Sequence, residues 1–501
     1  MNKRIFLFSI SLILLIVSSV YFLHLENSAC LGVKTVDIEN VTDGKTYSYF
    51  DYSKDIYFEG EPAAIDVEHS VIYIPQRIDS SIKKKNLQGV ISLKNYNCDL
   101  FIANDDNFDD LVKSTSNGYK YKLYVVNKEN GYMIYDIIFT TLPVLKIDGS
   151  FVENSEEVMS GSICLWPSNS SEDDHYVVET SNAEWRVRGD TTKILDKKSF
   201  KLNLKNKKGE NRNIDLLGLG SDDDWMLNAM RVDDSKIREM LFMRLWNEMC
   251  ETTDYNYPMS NAKYVELVVN DEYRGLYLLQ NRVDKKYLKL DDEDVILKGK
   301  RYYGDYNSKY VYTIKYSPLS EEETYKLIDT RWNNDEVYTD ERNIIDLTIF
   351  LQLSTAIDNT TYMNMYYIFE NIEDDYRHVL IPWDTDLTFG INWDGTYKND
   401  YEVCLTRDLQ REEIIELIKK NPDIERQICL RWKELNSGLL SEENIVSNIL
   451  ELNDEIKNSG AYTREFERWN FFCGDDDPQG NMIDFVDKRI DWMNERYQIN
   501  K

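Results

Sequence analysis

The chain has 501 residues, and its 89 acidic side chains outnumber its 59 Lys and Arg side chains, giving a formal net charge of -30. Its length and its 42% content of hydrophobic residues allow two or three domains with sizeable cores. The negative charge argues against a nucleic-acid-binding protein, and the presence of only four histidines argues against a zinc enzyme or a His-based catalytic triad.

The N-terminus predicts a membrane anchor. Lys3 and Arg4 precede an apolar run over 5–23, and a helix of that length, at about 1.5 Å per residue, nearly crosses a bilayer core. Because the positive charges stay inside, residues 1–30 are predicted to be an uncleaved anchor with the rest of the chain extracytoplasmic. A cleaved signal, giving a secreted protein, and a lipid-modified Cys30 remain alternatives.

Residues 33–143 contain short β-runs, for example at 70–75, 119–126 and 132–140, separated by Gly, Asn and Asp. This punctuation is typical of a sandwich, so an all-β sandwich-like module is predicted here. No cluster of residues in it carries obvious chemistry, which favours a spacer or a binding module. The remainder, 144–501, is predicted to be a second domain.

Two segments near the start of that domain carry cations. In EWRVRGD, strand alternation places Arg186 and Arg188 on one face. In KKSFKLNL, it places Lys198 and Lys201 on opposite faces. Two neighbouring strands of this kind predict a basic cleft, although charges on an edge strand would produce the same pattern.

Two further elements follow. Acidic residues at 221–224 predict the N-terminal cap of a helix over 225–249. At 264–284, two β-runs flank the turn-forming pair Asn270 and Asp271 and predict a hairpin. A glycine inside this hairpin, Gly275, predicts close approach of another backbone.

The stretch 344–390 holds the candidate catalytic residues. Apolar residues at helical spacing predict a helix that runs into Asp358, and Asn364 follows six residues later. A predicted hairpin then delivers Asp384 and Asp386 at the end of its second strand. Phosphoryl transfer needs a carboxylate that orients the acceptor hydroxyl and oxygen ligands that hold Mg²⁺, and this order of residues supplies both.

The match to ordinary protein kinases is incomplete. Their Asn lies five residues after their Asp, whereas the gap here is six, and the His-Arg and Asp-Phe-Gly signatures are absent. Asp358 could instead be a solvated acid in a turn after the helix. Asp384 and Asp386 could form the acid pair of a hydrolase, but nothing else marks a sugar cleft. From 409 onwards the pattern is mostly helical.

Five pieces of sequence, in order, resemble the spore coat protein H family, the CotH-type kinases. They are R-x-R-G-D with K-K-S-F-K-L at 186–202, D-D-S-K-I-R at 233–238, the E-x-x-x-N-D-x-Y-x-G-L-Y hairpin at 266–277, Asp358 with Asn364, and PWDTDLTFG at 382–390. The resemblance implies an α+β fold with a divergent protein-kinase-like core and a helical C-terminal part. It also implies ATP-dependent phosphorylation of Ser or Thr in secreted, cell-surface or spore-coat proteins.

The resemblance assigns roles to individual residues. It implies that Asp358 is the catalytic carboxylate and that Asp384, with Asn364 and Asp386, binds Mg²⁺. Side chains that would hold the phosphates of ATP are Arg188, Lys198 and Lys298, and the sequence does not decide between Lys198 and Lys201.

One departure from the family pattern leaves a second function open. The family often carries an acid where Asn281 stands, which weakens an ion-pair role at that position. Taken together, the motifs and the N-terminal segment predict an extracytoplasmic protein kinase that uses ATP and Mg²⁺. The alternative is a non-catalytic scaffold, or pseudokinase, of the cell surface or coat.

Overall fold

The computed structural model describes most of the chain. The described residues are 31–32, 34–36, 41–75, 90–94, 97–103, 115–129, 131–151, 157–168, 178–189, 192–253, 255–300, 307–359, 362–373, 375–398, 400–404 and 412–497. The predicted anchor over 1–30 lies outside them. None of the helices in the described part is both long and apolar enough to span a bilayer.

The N-terminal part of the described chain consists of two β-sheets. Its strands are β1 (Leu31–Gly32), β2 (Lys34–Val36), β3 (Thr46–Tyr47), β4 (Ile56–Phe58), β5 (Glu61–Pro62), β6 (Ile65–Asp66), β7 (Val71–Pro75), β8 (Ile91–Leu93), β9 (Cys98–Ala103), β10 (Tyr121–Asn127) and β11 (Gly131–Thr140). One sheet has the order β1-β8-β4-β5 and the other β2-β9-β10-β11-β7-β6, with β3 paired to β11. Phe58 of the first sheet and Leu123 of the second belong to one buried cluster, so the two sheets share a core.

A closed seven-stranded barrel follows. The strands of this part are β12 (Val144–Gly149), β13 (Met159–Trp166), β14 (Glu179–Arg188), β15 (Ser199–Lys205), β16 (Ile214–Asp215), β17 (Ser221–Asp222), β18 (Asp224–Asn228), β19 (Ala262–Val269) and β20 (Glu272–Asn281). The barrel order is β12-β13-β14-β15-β18-β20-β19, while β16 and β17 form a separate ribbon. Trp185 and Leu202 point into its core. Arg186, which follows Trp185, and Lys201, which precedes Leu202, therefore face outwards, as alternation predicts.

The predicted helix over 225–249 is wrong in its first half. Asp224–Asn228 is strand β18, and Trp225 and Leu227 fill the barrel core with a period of two. The helix α1 (Arg238–Glu251) begins only after a turn whose acid, Asp233, accepts a hydrogen bond from the Arg238 N–H at 3.0 Å. The local pattern was ambiguous because a short apolar run fits a strand as well as a helix.

The second half combines a five-stranded sheet with helices. Its strands are β21 (Val295–Lys300), β22 (Tyr312–Tyr316), β23 (Val337–Thr339), β24 (Met363–Ile372) and β25 (Asp375–Pro382), in the order β22-β21-β24-β25-β23. Its helices are α2 (Lys285–Leu288), α3 (Ser308–Val311), α4 (Glu321–Thr330), α5 (Glu341–Ser354), α6 (Glu412–Lys420), α7 (Ile424–Asn436), α8 (Glu442–Asn458), α9 (Ala461–Trp469) and α10 (Pro478–Arg496). The mixed α/β class, both predicted hairpins and the helical C-terminal part are confirmed.

Helix α9 returns from the C-terminal part to the barrel through a buried charge network. Glu465 Oε1 lies 2.7 Å from Lys197 Nζ and 3.5 Å from Lys236 Nζ, and all three side chains are fully buried. Glu465 Oε2 also accepts a hydrogen bond from the Leu276 N–H at 2.8 Å. The predicted close approach at Gly275 is therefore made by a side chain rather than by a backbone, because a Cβ at that residue would overlap Glu465 Oε2.

Candidate active site

A buried amide fastens the two ends that carry the predicted catalytic acids. Asn359, which is 1% exposed, follows Asp358 directly, and Trp383 precedes Asp384. The Asn359 Nδ2 donates to the carbonyl of Asn364 at 2.9 Å and to the carbonyl of Trp383 at 2.7 Å. These bonds hold the segment after helix α5 against the end of strand β25.

The end of helix α5 turns the chain towards this junction. Thr355 adopts a left-handed conformation with φ +50°, and its N–H donates to carbonyls of the last helical turn, which stops the helix. The N–H of Phe389 donates to the carbonyl of Ser354 at 2.6 Å. The turn that follows Asp384 and Asp386 therefore lies on the helix end, close to Asp358.

Asp358 is a half-buried carboxylate with one amide partner. Asn364 Nδ2 donates to Asp358 Oδ2 at 2.8 Å, so the predicted acid and amide are in direct contact. Burial, followed by the neighbouring Asp384 carboxylate, raises the pKa of Asp358 to about 6, and the hydrogen bond from Asn364 opposes that shift. The structure thus places a carboxylate that binds a proton more readily than usual beside a second acid.

Four acids interact around this point. Burial and then the Asp384 and Glu239 charges raise the pKa of Asp386 well above its usual range. Burial and then Asp384 raise the pKa of Glu239 to about 8, although Arg188 opposes this. Asp384 itself has a left-handed backbone with φ +58°, a conformation that is uncommon for residues other than glycine.

The donor set suits a divalent cation. The acids repel one another, and the buried Thr385 Oγ1 finds no hydrogen-bond partner within the described part of the chain. Three His, Cys, Asp or Glu side chains do not converge on one point anywhere in that part. This arrangement fits Mg²⁺, which is usually held by one or two carboxylates with phosphate and water as its other ligands.

A pocket of about 320 Å³ lies beside the acids, between the barrel and the five-stranded sheet. The described residues that line it include seven cationic side chains and no acid: Arg186, Arg188, Lys193, Lys201, Arg282, Lys298 and Lys315. Trp383 and Tyr366 also line it. A pocket of this composition fits an anion with several charges.

The predicted phosphate-holding residues differ in their placement. Lys298 Nζ lies 5.0 Å from the centre of the Trp383 ring, and the Arg188 guanidinium lies 5.9 Å from it, so both flank the residue before Asp384. Burial lowers the pKa of Lys298 to about 7, and Asp384 opposes the shift. Lys198 instead donates to the carbonyls of Lys193, at 2.7 Å, and Leu195, outside the pocket lining.

The sequence reasoning missed Glu239, which belongs to this site. Glu239 follows D-D-S-K-I-R directly and is buried in the first turn of helix α1, where Asn228 Nδ2 donates to it at 2.7 Å. Its position one residue after that motif was the available signal. Asn281, which stands where the family often has an acid, is buried, and its Oδ1 has no partner among the residues described.

Comparisons with known proteins agree with the sequence motifs. A family model described as CotH kinase protein matches residues 185–493. That range includes most of the barrel, both candidate acids and helices α1 to α9 with most of α10. Among curated proteins, none matches this sequence.

Proposed function

The chain belongs to the CotH kinase protein family, and from this premise we propose that it transfers the γ-phosphate of ATP to a Ser or Thr hydroxyl of a protein acceptor. The observation that carries the proposal is the junction of Asp358 and Asp384 beside a cation-lined pocket. The proposed acceptor belongs to the cell surface or a spore coat, with the kinase held outside the membrane by its N-terminal segment.

Asp358 is the proposed catalytic carboxylate. It orients the acceptor hydroxyl and accepts its proton as the new P–O bond forms and the bond to the ADP leaving group breaks. Asn364 fixes one oxygen of Asp358 through its hydrogen bond, which leaves the other oxygen for the hydroxyl. A pKa of about 6 leaves Asp358 mostly ionised at neutral pH.

Asp384, Asp386 and Asn364 are the proposed Mg²⁺ ligands. When bound, the ion neutralises charge on the β- and γ-phosphates. Glu239 is a further acid near Asp384, and the mutual repulsion of these groups in the metal-free protein favours cation binding. Asn359 keeps the ligand-bearing segments in register.

Arg188 and Lys298 are the proposed phosphate-holding residues, since both flank Trp383 at the acidic end of the pocket. Lys198 is not assigned this role, because its amine is occupied by two backbone carbonyls and lies outside the pocket lining, whereas Lys201 lines the pocket. Side-chain cations thus do the work that a glycine-rich loop does in ordinary kinases.

The test is phosphate transfer by the purified chain, with γ-labelled ATP, Mg²⁺ and a surface extract as acceptor. Asp358→Asn and Asp384→Asn should each abolish labelling, and Asp384→Asn should also weaken Mg²⁺-nucleotide binding. Asp454→Asn, an exposed acid on helix α8, is the matched control and should remain active. Full activity of either site variant would refute the assigned role.

A non-catalytic scaffold is the second candidate. The absence of an acid at position 281 and the six-residue gap between Asp358 and Asn364 favour it. A thermal-shift measurement with millimolar ATP and Mg²⁺ separates the two functions. No shift would favour the scaffold, while stabilisation that Asp384→Asn removes would favour the kinase.

A further inference from the structure

The cationic pocket carries more positive charge than a magnesium nucleotide needs. A triphosphate carries about four negative charges, of which the metal offsets two. Arg188 and Lys298, next to Trp383 and the acids, match the remaining two. Four further cations line the same pocket in addition to Lys193: Arg186, Lys201, Arg282 and Lys315.

Among the described residues, two acids interact with this outer group: Asp224, and Asp284, whose charge acts on Arg282. Asp224 lies 2.5 Å from Arg282 and 3.4 Å from Lys201. Arg186 and Lys315 have no ion-pair partner in the described part of the chain, and both are exposed. The four outer cations therefore keep a net charge of two after Asp224 and Asp284 are counted.

Strand register explains how the outer group is held together. Arg186 and Lys201 are directly paired across strands β14 and β15 and project from the outer face of the barrel. Arg186 lies two residues before Arg188 on that face, about 6.6 Å farther along the strand. Lys315 lies on strand β22 of the five-stranded sheet and lines the same pocket, so both the barrel and the sheet contribute cations to the outer group.

The mutual repulsion of the four outer cations favours the binding of an anion beside them. Burial and then the Arg282 charge lower the pKa of Lys201, with Asp224 only partly opposing them. Like charges brought together without counter-ions cost free energy, which a bound anion recovers. In a protein of net charge -30, such a cluster is a local exception.

We infer that the outer cations Arg186, Lys201, Arg282 and Lys315 bind the acceptor protein, and that the acceptor is acidic next to its phosphorylated hydroxyl. The inference rests on the proposed function, because it assigns the inner cations to the nucleotide. Asp, Glu or phosphorylated Ser could supply the charge. A phosphorylated acceptor would make each transfer favour a further transfer close by.

The experiment uses the full chain saturated with Mg²⁺ and a non-hydrolysable ATP analogue. Three labelled peptides of equal length carry one central Ser flanked by Glu, by phosphoserine or by Lys, and binding is followed by fluorescence anisotropy. The two acidic peptides should bind at least about tenfold more tightly than the Lys peptide, with affinity falling steeply as salt is raised. The Glu and phosphoserine arms distinguish the two sources of charge.

Variants separate the acceptor from the nucleotide. Arg186→Ser with Lys315→Ser should weaken acidic-peptide binding about tenfold, the combined effect of two exposed charge pairs, while nucleotide affinity changes little. Lys208→Ser with Lys433→Ser removes two exposed charges elsewhere and should alter neither. Equal or tighter binding of the Lys peptide, or an equal loss of nucleotide affinity in the first double variant, would overturn the inference.

The two proposals fail in different ways. Nucleotide affinity is measured separately with a labelled ATP analogue. If the protein does not bind the nucleotide, both the proposed kinase activity and this inference are refuted. If the nucleotide-loaded protein binds all three peptides equally tightly, only the inference of an acidic acceptor is refuted.

Discussion

Removing the amide of Asn359 should separate structural from catalytic consequences at the site. The Asn359→Ala variant loses two hydrogen bonds, to the carbonyls of Asn364 and Trp383, and leaves both acceptors without that donor in a buried setting. At about 1 to 2 kcal/mol for each bond, the expected loss of unfolding free energy is about 2 to 4 kcal/mol. Because the bonds set the spacing of Asp358 and Asp384, a displacement of about 1 Å would lower kcat about 100-fold.

The matched control is Asn343→Ala. Asn343 is also fully buried, and it fastens helix α5 to strand β25 by exchanging hydrogen bonds with the backbone of Leu380 at 2.8 and 3.0 Å. Its replacement should cost a similar amount of stability yet leave kcat per folded molecule nearly unchanged. Thermal unfolding and phosphate transfer below the onset of unfolding give the two quantities. Equal kcat losses in both variants would refute the positioning role of Asn359.

Three further outcomes are expected, each measured by thermal unfolding. Both ring nitrogens of the buried His378 lack a partner among the described residues, and burial holds its pKa well below the usual range, so wild-type stability should fall as pH drops below about 6.5. His378→Phe should remove about 2 kcal/mol of that loss at pH 5, and equal pH dependence of both proteins would contradict this. In metal-free buffer, Glu239→Gln should be more stable than wild type, and the difference in unfolding free energy should grow from about pH 4.5 to 8. The reason is that Glu239 ionises near pH 4.5 in the unfolded chain but only near pH 8 in the folded protein. A difference that does not change with pH would count against the raised pKa. Gly275→Ala should lose more than about 1 kcal/mol, since its positive φ of 89° and the overlap with Glu465 both oppose a Cβ, whereas unchanged stability would show that Glu465 can move aside.

The sequence predicted those features that depend on neighbouring residues. Asn270 and Asp271 both adopt positive φ values, 47° and 62°, which is what a tight hairpin turn requires of that pair. Strand alternation correctly separated Arg186 from the buried residues around it. The order of helix, acid and hairpin before Asp384 was also readable, because each element has its own periodicity.

Other features depend on contacts that sequence spacing does not encode. Trp225 was assigned to a helix because a short apolar run fits a helix as well as a strand. Only the closed barrel shows that Trp225 and Leu227, two residues apart, both point inwards. Lys198 lies outside the pocket lining because two carbonyls of a neighbouring turn accept hydrogen bonds from its amine, a contact that strand alternation does not reveal. Glu239 is distant in sequence from Asp384, so their repulsion became visible only in three dimensions.

The charge network of helix α9 has a consequence for how this protein is made. Lys197 and Lys236 emerge from the ribosome more than two hundred residues before Glu465, which supplies the carboxylate for both. Until that helix has been synthesised, the barrel carries two neighbouring ammonium groups without their counter-ion, on the face that helix α9 later covers. The barrel should therefore not mature as an independent fragment, and cutting the gene before helix α9 should yield insoluble product even though every barrel strand is present.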